Sequence, residues 1–180
     1  LHGLGKLEEY LICLAGIQGT ARIDIGKKAL VIFCADNGVV EEGVTQTGQE
    51  VTAIVAGNFL RGKSCACIMC GRAGADIFPV DVGMASDVPG VRQRKCRRGT
   101  SNITRGPAMT RKEAVFAIEA GIETAGEFKE KGYRIIASGE MGIGNTTTSS
   151  AVSSVLLGRN PEEMTGRGAG LSDEGLLRKI

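Results

Sequence analysis

The sequence predicts an α/β fold, a doubly wound parallel sheet of Rossmann-like, three-layer form, with a small helical part from the N-terminus. Three apolar, β-rich runs carry this reading, at residues 29–35, 76–82 and 133–138. Each stops at glycine or a polar turn: Asp36-Asn37-Gly38, Gly83 and Gly139. Apolar runs bounded in this way suit strands buried on both faces. Helical patterns lie between them, and right-handed strand–helix–strand crossovers then wind helices onto both sides of the sheet. Residues 1–28 read as an N-terminal helical segment and 29–180 as the α/β domain.

The elements justify themselves in order. Residues 49–60 place Val51, Ile54, Val55 and Phe59 on one helical face. The clearest helix spans 111–131. Thr110 and Glu113 form a capping box, Val115, Ile118, Ile122 and Ala125 make an apolar stripe, and Gly132 can take a left-handed stop. A third helix begins after Asn145 and is expected to carry Ala151, Val152, Val155 and Leu156 inward. Ligands of such sheets bind outside the carboxyl ends of the strands, so the turns after the three runs should gather on one edge.

Composition narrows the function. A net charge of +2 over 180 residues, 42% of them apolar and 23% charged, is ordinary for a globular chain. It argues against nucleic acid or an anionic membrane as the main partner. No apolar stretch approaches the roughly 20 residues of a membrane span. No secretory signal is evident, so the six cysteines read as reduced thiols of a cytoplasmic protein. The chain begins at Leu1 and its last helical pattern is still running at Ile180, which suggests a truncated piece.

The segment richest in chemistry is Ser138-Gly139-Glu140-Met141-Gly142-Ile143-Gly144-Asn145-Thr146-Thr147-Thr148. A strand enters a loop with three glycines, and a helix opens with hydroxyl residues. Glycine permits close backbone approach, and the free N–H groups at a helix start suit a phosphate. The plainer account is a tight turn with an Asn or Thr cap. No Gly-Lys-Ser/Thr or dinucleotide fingerprint is present. A second cluster, Gly166-Arg167-Gly168-Ala169-Gly170, precedes Ser172-Asp173-Glu174, and Lys179 can add a compact counter-charge. Asp36 and Asp81 stand at strand ends, where each can hold a ribose hydroxyl or simply its own turn.

Other groups read as structure. Arg92, Arg94, Lys95, Arg97 and Arg98 lack the interleaved aromatics of a nucleic-acid site. Cys65, Cys67 and Cys70 have ligand-like spacing without a fourth nearby Cys or His, and His2 is the sole histidine, which disfavours a His base and metal chemistry. A metal or redox module on the Cys65–Cys70 cluster is the remote alternative.

With these motifs laid out, the chain resembles the N-terminal half of the nicotinate-nucleotide:dimethylbenzimidazole phosphoribosyltransferase family of cobalamin lower-ligand synthesis. The matching segments include Leu14-Ala15-Gly16-Ile17-Gln18-Gly19-Thr20, Ala35-Asp36-Asn37-Gly38-Val39, Gln49-Glu50-Val51-Thr52 and Arg98-Gly99-Thr100-Ser101-Asn102. The most specific are Gly139-Glu140-Met141-Gly142-Ile143-Gly144-Asn145-Thr146-Thr147 and Gly166-Arg167-Gly168-Ala169-Gly170-Leu171. The resemblance implies transfer of ribose 5-phosphate from nicotinate mononucleotide to a benzimidazole-type base, in a cytoplasmic homodimer that uses no cofactor and no metal. It implies a phosphate site at Gly142, Gly144, Asn145, Thr146, Thr147, Gly166, Gly168, Gly170 and Lys179. Asp36 and Asp81 join the substrate-binding set from the strand-end reading above. Thr47 and Val55 fall in the family's base site, and Glu140 and Met141 beside the reacting sugar. Family chains are about twice as long and carry their main proton acceptor near the far end, so Glu140 takes an auxiliary catalytic role. Asn37 departs from the family, where many members have His. The alternative function is a truncated, non-catalytic nucleotide- or phosphate-binding module.

Overall fold

The computed structural model describes residues 3–180, so His2 lies outside the described residues. Helix α1 (Lys6–Gln18) leads through a turn to β1 (Lys28–Ala35). A 3-10 turn (Gly38–Glu42), α2 (Glu50–Leu60) and α3 (Cys65–Ala73) follow, then β2 (Ala75–Gly83), the two-residue β3 (Arg92–Gln93) and α4 (Arg111–Glu130). The chain continues through β4 (Ile135–Met141), α5 (Asn145–Leu157), α6 (Pro161–Met164) and α7 (Asp173–Lys179). The four strands form one parallel sheet in the order β3-β2-β1-β4.

The alternation of β1 splits the core into two layers. Ile32 and Cys34 pack with Ala56 and Phe59 of α2 and with Met84 and Val91. Ala29 and Val31 face the other way, against Val80, Tyr133 and Phe128 of α4. Phe78, Phe128 and Tyr133 meet there as a ring cluster with centroids 4.6 to 5.8 Å apart. Helices therefore cover both faces, as a doubly wound sheet requires.

Sequence and structure part company on which stripe of a helix is inside. The capping box of α4 forms as expected, and Gly132 takes a positive φ of 81°. Its buried positions, however, are Ala120, Thr124 and Phe128, while Val115, Ile118, Ile122 and Ala125 are exposed. In α5 the buried residues are Thr147 and Ser154, and Ala151, Val152, Val155 and Leu156 face out. In α2, Ile54 is exposed and Thr52 takes the inward place. β4 also runs past Gly139 to Met141, and most of its residues remain open. β4 pairs on one edge only, so it and α5 are less covered among the described residues than β1.

Candidate active site

The carboxyl ends of β1, β2 and β4 do gather on one edge, with Cys34 beside both Asp81 and Met141 in register. Above β4, the backbone passes Gly142 and Gly144 into α5. Gly142 has no room for a side chain, because a Cβ there would run into the Ala35 carbonyl. Gly144 stands at the helix start with φ 87°, and no side chain caps the helix. Asn145 N–H bonds back to Gly142 O at 3.0 Å, and those of Thr147 and Thr148 both reach Gly144 O. The Gly144 and Thr146 N–H groups have no hydrogen-bond partner among the described residues. A helix start with open N–H groups and no capping carboxylate is suited to an external anion.

The second glycine loop comes against this start. A Cβ on Gly168 would lie 2.6 Å from Thr146 Oγ1 and 3.3 Å from Lys179 Nζ. Lys179, only 8% exposed, donates to Thr146 Oγ1 and to Gly166 O, each at 2.8 Å. No carboxylate pairs with it among the described residues, and burial lowers its pKa from the ordinary 10.5. Gly170 O accepts from Gln46 Nε2, which ties this loop to the segment before α2. Together they border a cleft of about 140 Å³ lined by Val44, Thr45, Gln46 and Thr47, by Ile143 to Thr146, and by Arg167, Ala169 and Leu171.

Of the residues singled out from sequence, Thr47, Gly144, Asn145 and Thr146 line this cleft, and Gly170 is tied to it through Gln46. Gly166 and Gly168 line a neighbouring cleft with Thr146, and Lys179 lines a further cavity while reaching Thr146 Oγ1. Glu140 projects near the glycine turn and accepts from Asn145 Nδ2. Desolvation raises its pKa, and the Asn145 bond opposes that shift. Thr147 is buried on the far side, where its hydroxyl has no partner and borders a separate cavity that Lys179 also lines.

Four positions are placed elsewhere. Met141 and Val55 pack against the apolar cluster around Ile32 and Cys34, so their side chains fill the core. Asp36 and Asp81 are 1% and 0% exposed. Asp81 accepts from the Gly83 and Met84 amides and pairs with Lys95 at 2.7 Å, and Asp36 accepts from the Ala85 amide. Both carboxylates hold turn backbone, which is the plainer of the two readings, and neither is open to a ribose.

The basic run is paired within the chain. Arg92 and Arg94 pair with Glu127, Lys95 with Asp81 and Asp87, Arg97 with Glu113, and Arg98 with Asp87. Cys65, Cys67 and Cys70 lie on α3, and no group of three or more potential ligands could hold a metal ion among the described residues. No helix among them is long and apolar enough to cross a membrane.

Sequence reasoning missed the polar groups beneath the loop. Thr52 Oγ1 accepts from Ile143 N–H, and Asn37 bridges Ile143 O and Thr148 Oγ1. The available signal was a lone threonine on an otherwise apolar helix face and an Asn at a strand end.

A family model described as Phosphoribosyltransferase matches residues 1–180. The chain is 53% identical to the nicotinate-nucleotide–dimethylbenzimidazole phosphoribosyltransferase of Ruminiclostridium cellulolyticum, over 100% of this chain and 52% of that protein. It is 52% identical to the enzyme of the same name from Acetivibrio thermocellus, with the same coverage. A crystal structure of CobT from Thermus thermophilus superposes with a TM-score of 0.94 at 43% identity, over 99% of this chain and 54% of that one. The chain spans about half the length of the curated relatives it matches.

Proposed function

Because the chain belongs to the phosphoribosyltransferase family whose model matches it over residues 1–180, we propose that it serves the transfer of ribose 5-phosphate from nicotinate mononucleotide to 5,6-dimethylbenzimidazole or a related base, giving α-ribazole 5′-phosphate and nicotinate. One observation carries this reading: a buried ammonium, Lys179, has no carboxylate partner and sits between two glycine loops at an uncapped helix start. An unpaired buried cation is costly, and a phosphate bound at this helix start, beside Thr146, would supply the missing charge.

In this reading Gly142, Gly144, Asn145, Thr146 and Thr147 with Gly166, Gly168, Gly170 and Lys179 form the phosphate end. Of these, Gly142 and Thr147 act from behind, by shaping the turn and the helix. Thr47 stands across the cleft where the base would lie. The base nitrogen attacks the anomeric carbon as nicotinate departs, so positioning and charge placement account for most of the rate. Glu140, made more basic by desolvation and held by Asn145, takes an auxiliary role beside the sugar.

The same reading treats 1–28 as a segment distinct from the α/β domain at 29–180 and takes the working form as a cytoplasmic homodimer. What supports association is α1, which buries none of its residues and leaves Leu7, Leu11, Ile12 and Ile17 exposed. An isolated helix of this length is marginal in water.

Gly144→Val tests the site. The new side chain would meet Val40 and Asn37, within 2.9 and 3.1 Å at its first carbon. Nicotinate mononucleotide binding, followed by calorimetry, should weaken at least tenfold, about 1.4 kcal/mol. Unchanged affinity in a folded variant would overturn the assignment. Tight binding with no nicotinate release in any assembled form would favour the binding-module alternative.

A further inference from the structure

The glycine turn is held from below by two side chains that touch no ligand-facing surface in common. Thr52, fully buried on α2, accepts from the Ile143 N–H at 3.0 Å. Asn37, at the end of β1, donates from Nδ2 to the Ile143 carbonyl at 3.1 Å. Its Oδ1 accepts from Thr148 Oγ1 at 2.9 Å, one turn into α5, and its own carbonyl accepts from Gln49 Nε2 at 3.0 Å. Asn37 therefore has its side-chain donor and acceptor both engaged, and both on the anion loop and its helix.

The consequence follows from peptide planarity. In a trans peptide the C=O and the following N–H point in opposite directions. A carbonyl of Ile143 fixed toward Asn37 leaves the Gly144 N–H aimed the other way. That N–H has no partner among the described residues, and Gly144 lines the cleft. Thr52 acts on the preceding plane. With Ile143 N–H fixed toward Thr52, the Gly142 carbonyl turns away and receives the Asn145 N–H. Without these two anchors, a turn containing two glycines has little to prevent either plane from rotating, and a flipped plane would present a carbonyl where a donor is needed.

We propose that Asn37 and Thr52 are positioning residues that latch the two peptide planes flanking Ile143, so that the Gly144 N–H stands ready for an incoming phosphate monoester. The latch rests on the phosphate reading above and adds to it the source of the loop's shape. Neither residue touches the ligand. Their effect is on how much of the population has the donor correctly aimed before binding.

The test uses the 180-residue chain with inorganic phosphate and nicotinate mononucleotide as probes, followed by amide NMR and calorimetry. In the unsubstituted protein the Gly144 amide resonance should move on adding phosphate, while that of Ile143, already bonded to Thr52, should not. The reverse pattern overturns the latch without any variant. Asn37→Asp keeps the acceptor for Thr148 but loses the donor to Ile143. Binding of both probes should weaken at least fivefold in variant protein that its amide spectrum shows to be folded. Thr52→Val should weaken it similarly, and Thr52→Ser, which keeps the acceptor, should restore it. If Lys179→Met abolishes phosphate binding while Asn37→Asp and Thr52→Val bind within twofold of the parent, the site is right and the latch is wrong. If the parent takes up no phosphate, or Lys179→Met leaves uptake unchanged, the phosphate reading itself fails and the latch falls with it.

Discussion

The surroundings of β1 and the outer flank formed by β4 and α5 are built from similar sequence and end up in opposite environments. β1 is paired on both edges and covered on both faces, and its apolar residues lie between α2 and α4. β4 is paired on one edge only. Beside it, α5 is inside out: Thr147 and Ser154 are buried with unpartnered hydroxyls, while Val155 and Leu156 are 82% and 78% exposed. An apolar stripe of helical period shows that a face is meant to be covered. It does not say by what, and among the described residues nothing buries Val155 or Leu156.

The sharpest contrast in stability should come from Phe128 in the closed region. It is buried against Val31 and Val80 and meets the rings of Phe78 and Tyr133 at tilted, edge-on angles. Phe128→Ala is expected to cost about 4 kcal/mol in urea unfolding, a transfer loss plus a cavity. A cost under about 1 kcal/mol would mean that this face is as open as the other. Asp81→Ala comes next. It strands the Gly83 and Met84 amides and takes one of two carboxylates from Lys95. About 3 kcal/mol is expected from breaking a buried, hydrogen-bonded pair.

These contrasts show what the sequence could and could not disclose. The strands β1 and β2 and the capping box at Thr110 were legible because short-range rules determine them: apolar runs between turns, and a reciprocal pair three residues apart. The glycine turn into α5 was legible for the same reason, since glycines and hydroxyls at a strand-to-helix junction are local. Asp36 and Asp81 were ambiguous because a carboxylate at a strand end looks the same whether it holds a ligand or a turn. Only burial separates the two. The inner stripe of α4 was hidden by Thr124, whose hydroxyl is satisfied by Ala120 O within the helix, so a polar residue takes an inward place. Asn37 and Thr52 matter through contacts across about 90 residues or more of sequence, which no local pattern reports.

Two pH dependences separate a structural charge from a ligand-seeking one. Arg92 and Arg94 hold the Glu127 carboxyl at about 2, well below its ordinary 4.5. Since the folded value is the lower one, the stabilisation is present above 4.5 and is lost as pH falls towards 2. Glu127→Gln should flatten the fall in unfolding midpoint across that window. Lys179 behaves in the opposite sense, because burial lowers the pKa of a cation. Phosphate affinity should therefore decline on the alkaline side at a pH below the ordinary lysine value of 10.5. Lys179→Arg should move that limb upward while keeping a positive charge. An affinity indifferent to alkaline pH would detach Lys179 from the anion.

The smallest effect is expected on the open flank, and it bears most directly on the contrast. Leu156→Asp places a charge where the side chain already meets solvent, so the unfolding free energy should change by less than about 0.5 kcal/mol. A buried leucine replaced in this way would cost several times more. Leu156 lies close to Val152 and Val155 around α5, and an exposed apolar cluster of this kind promotes self-association. The aspartate should consequently shift light scattering towards the monomer at high protein concentration while leaving the melting temperature in place. If instead Leu156→Asp destabilises the dilute protein as strongly as Phe128→Ala, the outer face of α5 is covered within the chain itself, and the division between a closed interior and an open flank does not hold.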